Sequence, residues 1–254
     1  MTEFIAGRNS ILEALKSGRA MNKVFIGQDT KEGSIREIVA LTRERGIPIQ
    51  KVDRSVLDKM TRERHQGVIA ETAPYDYVEL EDMISLAKNK GEDPLIVVLA
   101  GLEDPHNFGA ILRTAEAVGV HGIIIPKRRG VQLNATVVKV SEGAAEYVSV
   151  AREANLATVI DRLKKMGLWV TGADMDGDNR LWQGNLTGPL AIIIGGEGHG
   201  IPRLLKEKCD FITSIPMRGK ISSLNASVAA SVILFEVLRQ REKMGEQSAG
   251  DIDC

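Results

Sequence analysis

The rhythm of apolar positions along the chain changes near residue 95. Before it, short apolar runs alternate with amphipathic stretches. Ile11, Leu12 and Leu15 recur at helical spacing after Arg8-Asn9-Ser10, and Val24–Ile26 reads as a short strand. Ile35, Ile38, Val39 and Leu41-Thr42 predict a helix that Gly46 ends. Ile47–Val52 alternates as a strand does, Arg54–Met60 is a short helix, and Gly67–Ala70 is another strand. Residues 1–74 therefore form a small α/β domain. Residues 75–94 are acidic, carry the loop sequence Asn89-Lys90-Gly91-Glu92-Asp93-Pro94, and read as a linker that is partly helical through Leu80, Met83, Ile84 and Leu86-Ala87.

From Leu95 the pattern is different. Leu95–Ala100, Gly122–Ile125, Leu168–Thr171, Leu190–Ile194 and Phe211–Ile215 are almost continuously apolar, as strands buried on both faces are. Helical stretches separate them: Phe108–Val118, Ala154–Met166 and Leu224–Arg241. Strand and helix in alternation predict a parallel α/β sheet over 95–243, with 244–254 as a tail. Such sheets bind ligands at the carboxyl ends of their strands.

Composition alters this picture little. The 254 residues are those of an ordinary globular protein, and the formal charge of -1 announces no nucleic-acid partner. The first 74 residues carry thirteen Lys/Arg against ten Asp/Glu, and the remainder twenty against twenty-four, so the more basic surface lies at the front. Cys209 and Cys254 are too few and too separate for a disulfide framework, and no metal-ligand spacing occurs. The N-terminus lacks the apolar run of a signal peptide and no stretch is long enough to span a bilayer, which predicts a cytoplasmic protein.

Four strand ends carry polar residues of interest. After the first comes Asn107-Phe108-Gly109-Ala110-Ile111-Leu112-Arg113, where Phe108, Ile111, Ala115 and Val118 make one apolar helix face. Arg113 either pairs with Glu116 on a solvated face or joins Asn107 in a cleft and grips a phosphate. After the second come Lys127, Arg128 and Arg129, either solvated surface or contacts for an RNA backbone. After the fourth, Gly195-Gly196-Glu197-Gly198-His199-Gly200 brings main chain close to a ligand but matches neither a dinucleotide loop nor a P-loop; Glu197 could simply start a helix, and nothing orients His199 as a base. After the fifth, Ser222 or Ser223 is a candidate N-cap, with Leu224, Val228, Val232 and Phe235 as the buried stripe of the last helix. A cap leaves Ser223-Leu224-Asn225 at the mouth of a sheet unexplained.

Three of these segments, Asn107–Ala115, Ile193–Ile201 and Ile215–Ala229, resemble in order and spacing the three motifs of the SpoU/TrmH (SPOUT) family of RNA ribose methyltransferases. The likeness covers 95–243. Gly7-Arg8-Asn9 with Glu13-Ala14-Leu15, and His65-Gln66-Gly67-Val68, resemble the L30e-like RNA substrate-binding domain that many members carry. The resemblance implies an α/β fold whose C-terminal parallel-sheet domain is tied in a trefoil knot, an outcome that default topology rules disfavour. It implies S-adenosylmethionine as cofactor, bound by main chain near Gly195, Ile215 and Leu224 with Thr171, Gly172, Ala173, Gly196 and Met217 close by. It assigns Asn107, Arg113, Glu197, Ser223 and Asn225 to catalysis. Arg8, Asn9, His65, Lys127, Arg128 and Arg129 become candidates for contact with RNA. A homodimer is implied, with the last helix at its interface. The subgroup with both parts resembles enzymes that methylate a guanosine ribose in 23S ribosomal RNA.

Guanidinium is effectively always protonated, so Arg113 is a better stabiliser of alkoxide and anchor of phosphate than a base. Two other readings stand beside this one: the same chemistry on transfer RNA, and an RNA-binding or ribosome-assembly protein that has lost the chemistry. A nucleotide-dependent transferase or dehydrogenase would need phosphate loops that are missing here.

Overall fold

The computed structural model describes residues 4–250 apart from 17, 31–32, 63, 74–75, 178 and 221–222, with backbone alone at 13 and 245–250. Ser222 and Cys254, and the side chain of Glu13, thus lie outside the described residues. The chain divides into two compact units, Met1–Asp76 with Gln132–Val138, and Tyr77–Val131 with Lys139–Cys254.

The first unit runs β1 (Phe4–Ala6), α1 (Arg8–Lys16), β2 (Met21–Gly27), α2 (Ser34–Glu44), β3 (Ile49–Val52), α3 (Arg54–Met60) and β4 (Val68–Thr72). Its sheet has the order β1-β4-β2-β3, with β2 and β3 parallel and the other pairs antiparallel. Alternation along β2 sorts the core into two layers. Val24 and Ile26 pack with Ile11, Leu15, Ile35 and Ile38 of α1 and α2, whereas Phe25 packs with Leu57 of α3. Each of these buried aliphatic side chains contributes roughly 1.5–3 kcal/mol relative to exposure. Residues 132–138 join this unit through Asn22, whose buried Nδ2 donates to the Leu133 carbonyl at 2.6 Å.

The second unit runs α4 (Leu80–Lys90), β5 (Leu95–Ala100), α5 (Pro105–Ala117), β6 (Gly122–Pro126), β7 (Val150–Glu153), α7 (Leu156–Lys165), β8 (Trp169–Ala173), β9 (Asn179–Arg180), β10 (Leu190–Gly195), α8 (Arg203–Lys208), β11 (Phe211–Ser214) and α9 (Ala226–Gly250); α6 (Ala135–Val140) crosses the boundary between units. The sheet is parallel throughout, in the order β7-β6-β5-β10-β8-β11-β9. β5 is buried at every residue, as its uninterrupted Leu-Ile-Val-Val-Leu-Ala requires. The segment read as a linker does more than connect. Leu80, Met83 and Ile84 of α4 enter the core with Ile96, Val98 and Ile193, and a capping box of Glu79 and Asp82 starts the helix. Asp104 caps α5 by accepting from the His106 amide, with Pro105 at the first helical position.

The last helix departs from expectation in two ways. Its cap is Asn225, whose Oδ1 accepts the amides of Ser227 (2.9 Å) and Val228 (3.3 Å), because the first helical residue is Ala226 and a serine at 222 or 223 stands too far upstream. Its buried stripe is Ala226, Ala230, Ile233, Leu234 and Val237, whereas Leu224, Val228 and Phe235 are exposed. Farther along, Arg241 donates to the carbonyls of Asp93, Pro94 and Gly188, tying α9 to the loops that lead into β5 and β10. Among the described residues, no helix is long and apolar enough to cross a membrane.

Candidate active site

The carboxyl ends of β8, β10 and β11 open on one cavity of about 440 Å³. Three chain segments wall it. Ala173–Met175 follow β8. The glycine loop follows β10. Thr213, Ile215, Met217, Ser223, Leu224 and Asn225, with Ala226, Ala229 and Ile233 of α9, close the far side. The lining mixes aliphatic side chains with bare glycine main chain, the pairing that suits an adenine face and its hydrogen-bonding edge.

Glycine is required in that loop by close approach. A methyl group at Gly195 would run into the main chain of Gly200, and one at Gly196 into the carbonyl of Gly101. The loop doubles back on itself: the Gly200 amide donates to the Gly196 carbonyl at 3.1 Å, and the Gly196 amide holds the Ala100 carbonyl at the end of β5 at 2.9 Å. Glu197, at the turn, accepts a hydrogen bond from the buried Asn107 of α5. Two segments ninety residues apart thus meet at the rim of the cavity.

The structure does not gather every residue singled out from sequence. Ala173, Gly195, Gly196, Glu197, Ile215, Met217, Ser223, Leu224 and Asn225 line the cavity. Thr171 and Gly172 do not. Thr171 is buried beneath it, its hydroxyl 2.8 Å from that of Thr213, and Gly172 packs against Ile201, Ile212 and Cys209. Arg113 stands off the cavity, exposed, and its partner is Glu142 at 3.1 Å, not Glu116. Cys209 is half-buried, its thiol pushed up to about 11 by desolvation, which keeps it unreactive. Sequence reasoning missed Asp174, Met175, Thr213, Ala229 and Ile233 as lining residues. The one available signal was position, since Asp174 follows directly on a strand end.

In the first unit the two short motifs come together. The Arg8 amide donates to Gln66 Oε1 at 3.1 Å and its Nε to the Gln66 carbonyl at 3.2 Å. Gln66 and Gly67 both have positive φ, and a side chain at Gly67 would collide with Thr30. A second cavity, of about 530 Å³, opens here beside Arg8, Arg54 and Arg64. His65 is buried and both ring nitrogens are engaged: Nδ1 accepts the Gly67 amide at 3.0 Å and Nε2 meets Asp58 at 2.8 Å. His65 thus holds the loop, and it also lines this second cavity. Asn9 is exposed, as are Arg128 and Arg129 after β6, while Lys127 is half-buried.

Comparison with known proteins places this geometry. The sequence profile of the SpoU rRNA Methylase family matches residues 94–235, and that of RNA 2′-O ribose methyltransferase substrate binding matches residues 4–78. YacO of Bacillus subtilis (strain 168), named for the TrmH family of tRNA/rRNA methyltransferases, is 48% identical over 246 residues, which cover 96% of this chain and 98% of YacO. A similarly named protein of Staphylococcus haemolyticus is 46% identical over 244 residues, covering 96% of this chain and 98% of its own. Among solved structures, the SpoU methyltransferase AviRb from Streptomyces viridochromogenes in complex with the cofactor AdoMet aligns with a TM-score of 0.61 at 25% identity, covering 94% of this chain and 90% of AviRb. The rRNA methyltransferase from Sinorhizobium meliloti, also AdoMet-bound, aligns at 0.59 and 25% identity, covering 93% of this chain and 86% of its own. With profiles matching both units and relatives similar along almost the whole length, the chain belongs to the SpoU/TrmH family of RNA methyltransferases.

Proposed function

We propose that this enzyme transfers a methyl group from S-adenosylmethionine to a ribose 2′-hydroxyl, that of a guanosine in 23S ribosomal RNA. The observation that carries the reading is the cavity itself: one enclosure walled by the glycine loop and the Ser223–Asn225 segment, with Asn107 and Glu197 joined at its rim. Its aliphatic walls and exposed glycine main chain fit the adenosine of the cofactor. When bound, the cofactor supplies an electrophilic methyl on a sulfonium. Its transfer to the ribose oxygen would leave S-adenosylhomocysteine, with the hydroxyl proton passing to a substrate phosphate oxygen, Ser223 or water.

The chain's own residues then have distinct tasks. Glu197, fixed by Asn107, and Ser223 beside Asn225 orient the ribose at the rim. Arg113, about 9 Å along α5 from Asn107 by helical rise, anchors a substrate phosphate and stabilises the developing alkoxide. Glu142 holds its guanidinium until RNA arrives. In the first unit, the cavity beside Arg8, Arg54 and Arg64, with Asn9, supplies phosphate contacts; in the second, the exposed Arg128 and Arg129 supply others of their own. Lys127 contributes less, being half-buried, and His65 lines the cavity and holds its loop.

Two further features belong to this reading. The exposed Leu224, Val228 and Phe235 form an apolar face that a second copy of the chain covers. A knotted C-terminal segment belongs to this reading too, and it is supported by the strand order, in which β8 lies between β10 and β11, and by the packing of α9 on α5 and β10. A ribosomal target is favoured over transfer RNA by the substrate-binding unit at the front.

The test is incubation of purified protein with labelled S-adenosylmethionine and unmodified total RNA, followed by mapping. Label on a 2′-oxygen of ribosomal RNA is expected, and a deoxyribose at that position abolishes it. Label on a base, or in transfer RNA alone, would displace the reading. No label in any RNA would favour a binding protein.

A further inference from the structure

The described lining of the main cavity holds two carboxylates, Asp174 and Glu197, and no lysine, arginine or histidine. Glu197 is committed to Asn107 at the rim. Asp174 is different. Its side chain is 8% exposed, and every part of it is fixed. Its amide donates to the Thr213 carbonyl at 3.0 Å, its Oδ1 accepts from the Asp176 amide at 3.2 Å, and its Oδ2 meets Lys206 Nζ at 2.6 Å. Lys206 belongs to α8 and is not part of the lining. The pair therefore presents a fixed negative end to the cavity, with its positive end behind.

A buried, immobile carboxylate is costly unless it meets positive charge. Lys206 supplies part of that charge, and the cofactor adds more from within the cavity. S-adenosylmethionine carries a sulfonium and an ammonium against one carboxylate. S-adenosylhomocysteine, left after methyl transfer, has lost the sulfonium and is neutral overall. We propose that Asp174 distinguishes the two, favouring the charged cofactor over its spent product, and that Lys206 sets how strongly it does so. This rests on the cavity being the cofactor site. The effect is a preorganised field and not a contact with a particular hydroxyl, so it acts on the difference between the two ligands. A unit charge several ångströms away at an effective dielectric of about 20, half cancelled by its lysine, changes the preference by roughly three- to tenfold.

The test is calorimetric titration of the full chain with each ligand at pH 8, for wild type, Asp174→Asn and Lys206→Met. Asp174→Asn keeps the shape and the Oδ1 acceptor. It is expected to lower the affinity ratio of S-adenosylmethionine to S-adenosylhomocysteine three- to tenfold. Lys206→Met, which uncovers the carboxylate, is expected to raise that ratio. Equal weakening of both ligands by Asp174→Asn would mean a contact with the shared nucleoside, and would overturn the proposal. Should Asp174→Asn fail to fold by circular dichroism, Lys206→Met decides alone, and an unchanged or lowered ratio overturns it. Wild-type protein that binds neither ligand overturns the proposed function as well, whereas wild-type binding with unmoved ratios overturns only the role of Asp174.

Discussion

Arg113 and Glu142 form an ion pair at 3.1 Å although both side chains are mostly exposed, and Glu142 has a φ of 48° in the turn after α6. That left-handed backbone is uncommon for a non-glycine residue. An exposed pair returns only about 0–1 kcal/mol. A phosphate that takes over Arg113 must displace Glu142. Glu142→Gln is therefore expected to change folding stability by less than about 0.5 kcal/mol while lowering KM for RNA and leaving kcat unchanged. Arg113→Ala is expected to cut kcat by orders of magnitude with cofactor affinity intact. Steady-state kinetics with a transcript of the mapped site, beside chemical denaturation, checks both.

Asn225 serves the fold and the cavity at once. Its Oδ1 caps α9 while the residue lines the site. Asn225→Ala is expected to cost about 1 kcal/mol of stability by loss of the cap, and also to weaken methyl transfer. Asn225→Asp keeps the cap acceptor. It is expected to recover stability in urea denaturation without recovering activity, which separates the two roles.

His121 gives the protein an acid-sensitive joint. The ring is buried before β6, its Nδ1 accepting from the Leu95 amide at 3.1 Å and its Nε2 facing Glu92 at 3.0 Å. Desolvation holds its pKa below the ordinary 6.5, against the opposing pull of Glu92 and with a smaller push from Lys90 and Arg241. The unfolded chain therefore takes up the proton first. The contribution of the neutral ring is complete above about pH 6.5 and is lost as pH falls toward the lowered folded value. Melting temperature is expected to decline across that window, and His121→Asn is expected to flatten the decline.

The proposed dimer makes a separate prediction at Phe235. Its ring is 52% exposed on the helix face opposite the buried stripe. Phe235→Glu is expected to leave the fold intact by circular dichroism and to shift the sedimentation coefficient to that of a single chain. A variant that still sediments as a dimer would place the interface elsewhere.

Much of the fold is legible in the sequence because its central strands are buried on both faces. Leu95–Ala100 and Arg54–Met60 are read with their observed bounds. What escapes reading sits at sheet edges. β7 ends in Arg152-Glu153, only half its residues are buried, and β9 has two exposed residues, so neither shows a strand's periodicity. The last helix misleads for the opposite reason. Residues 228–238 are apolar on more than one side, so the pattern holds two stripes and cannot say which one the sheet covers. The cavity shows the same division. Glycine spacing and Ser-Leu-Asn are local signals, but the place of Asp174 depends on β8 lying between β10 and β11, which no local pattern encodes.

The order in which the cavity's walls are made has a consequence for synthesis. Lining residues from Thr213 to Ile233 form one side, and Arg241 fastens the helix that carries Ala226, Ala229 and Ile233. A nascent chain that has completed seven of the eleven strands seen among the described residues has no enclosure for a nucleoside. A chain stopped before residue 225 has the glycine loop but lacks Asn225 and the part of the opposite wall that α9 supplies. Ligand can stabilise only what it binds, so the cofactor cannot assist folding fully until the lining residues up to Ile233 have left the ribosome. Truncated products are therefore expected to be inert, not partly active, and unprotected by cofactor against proteolysis.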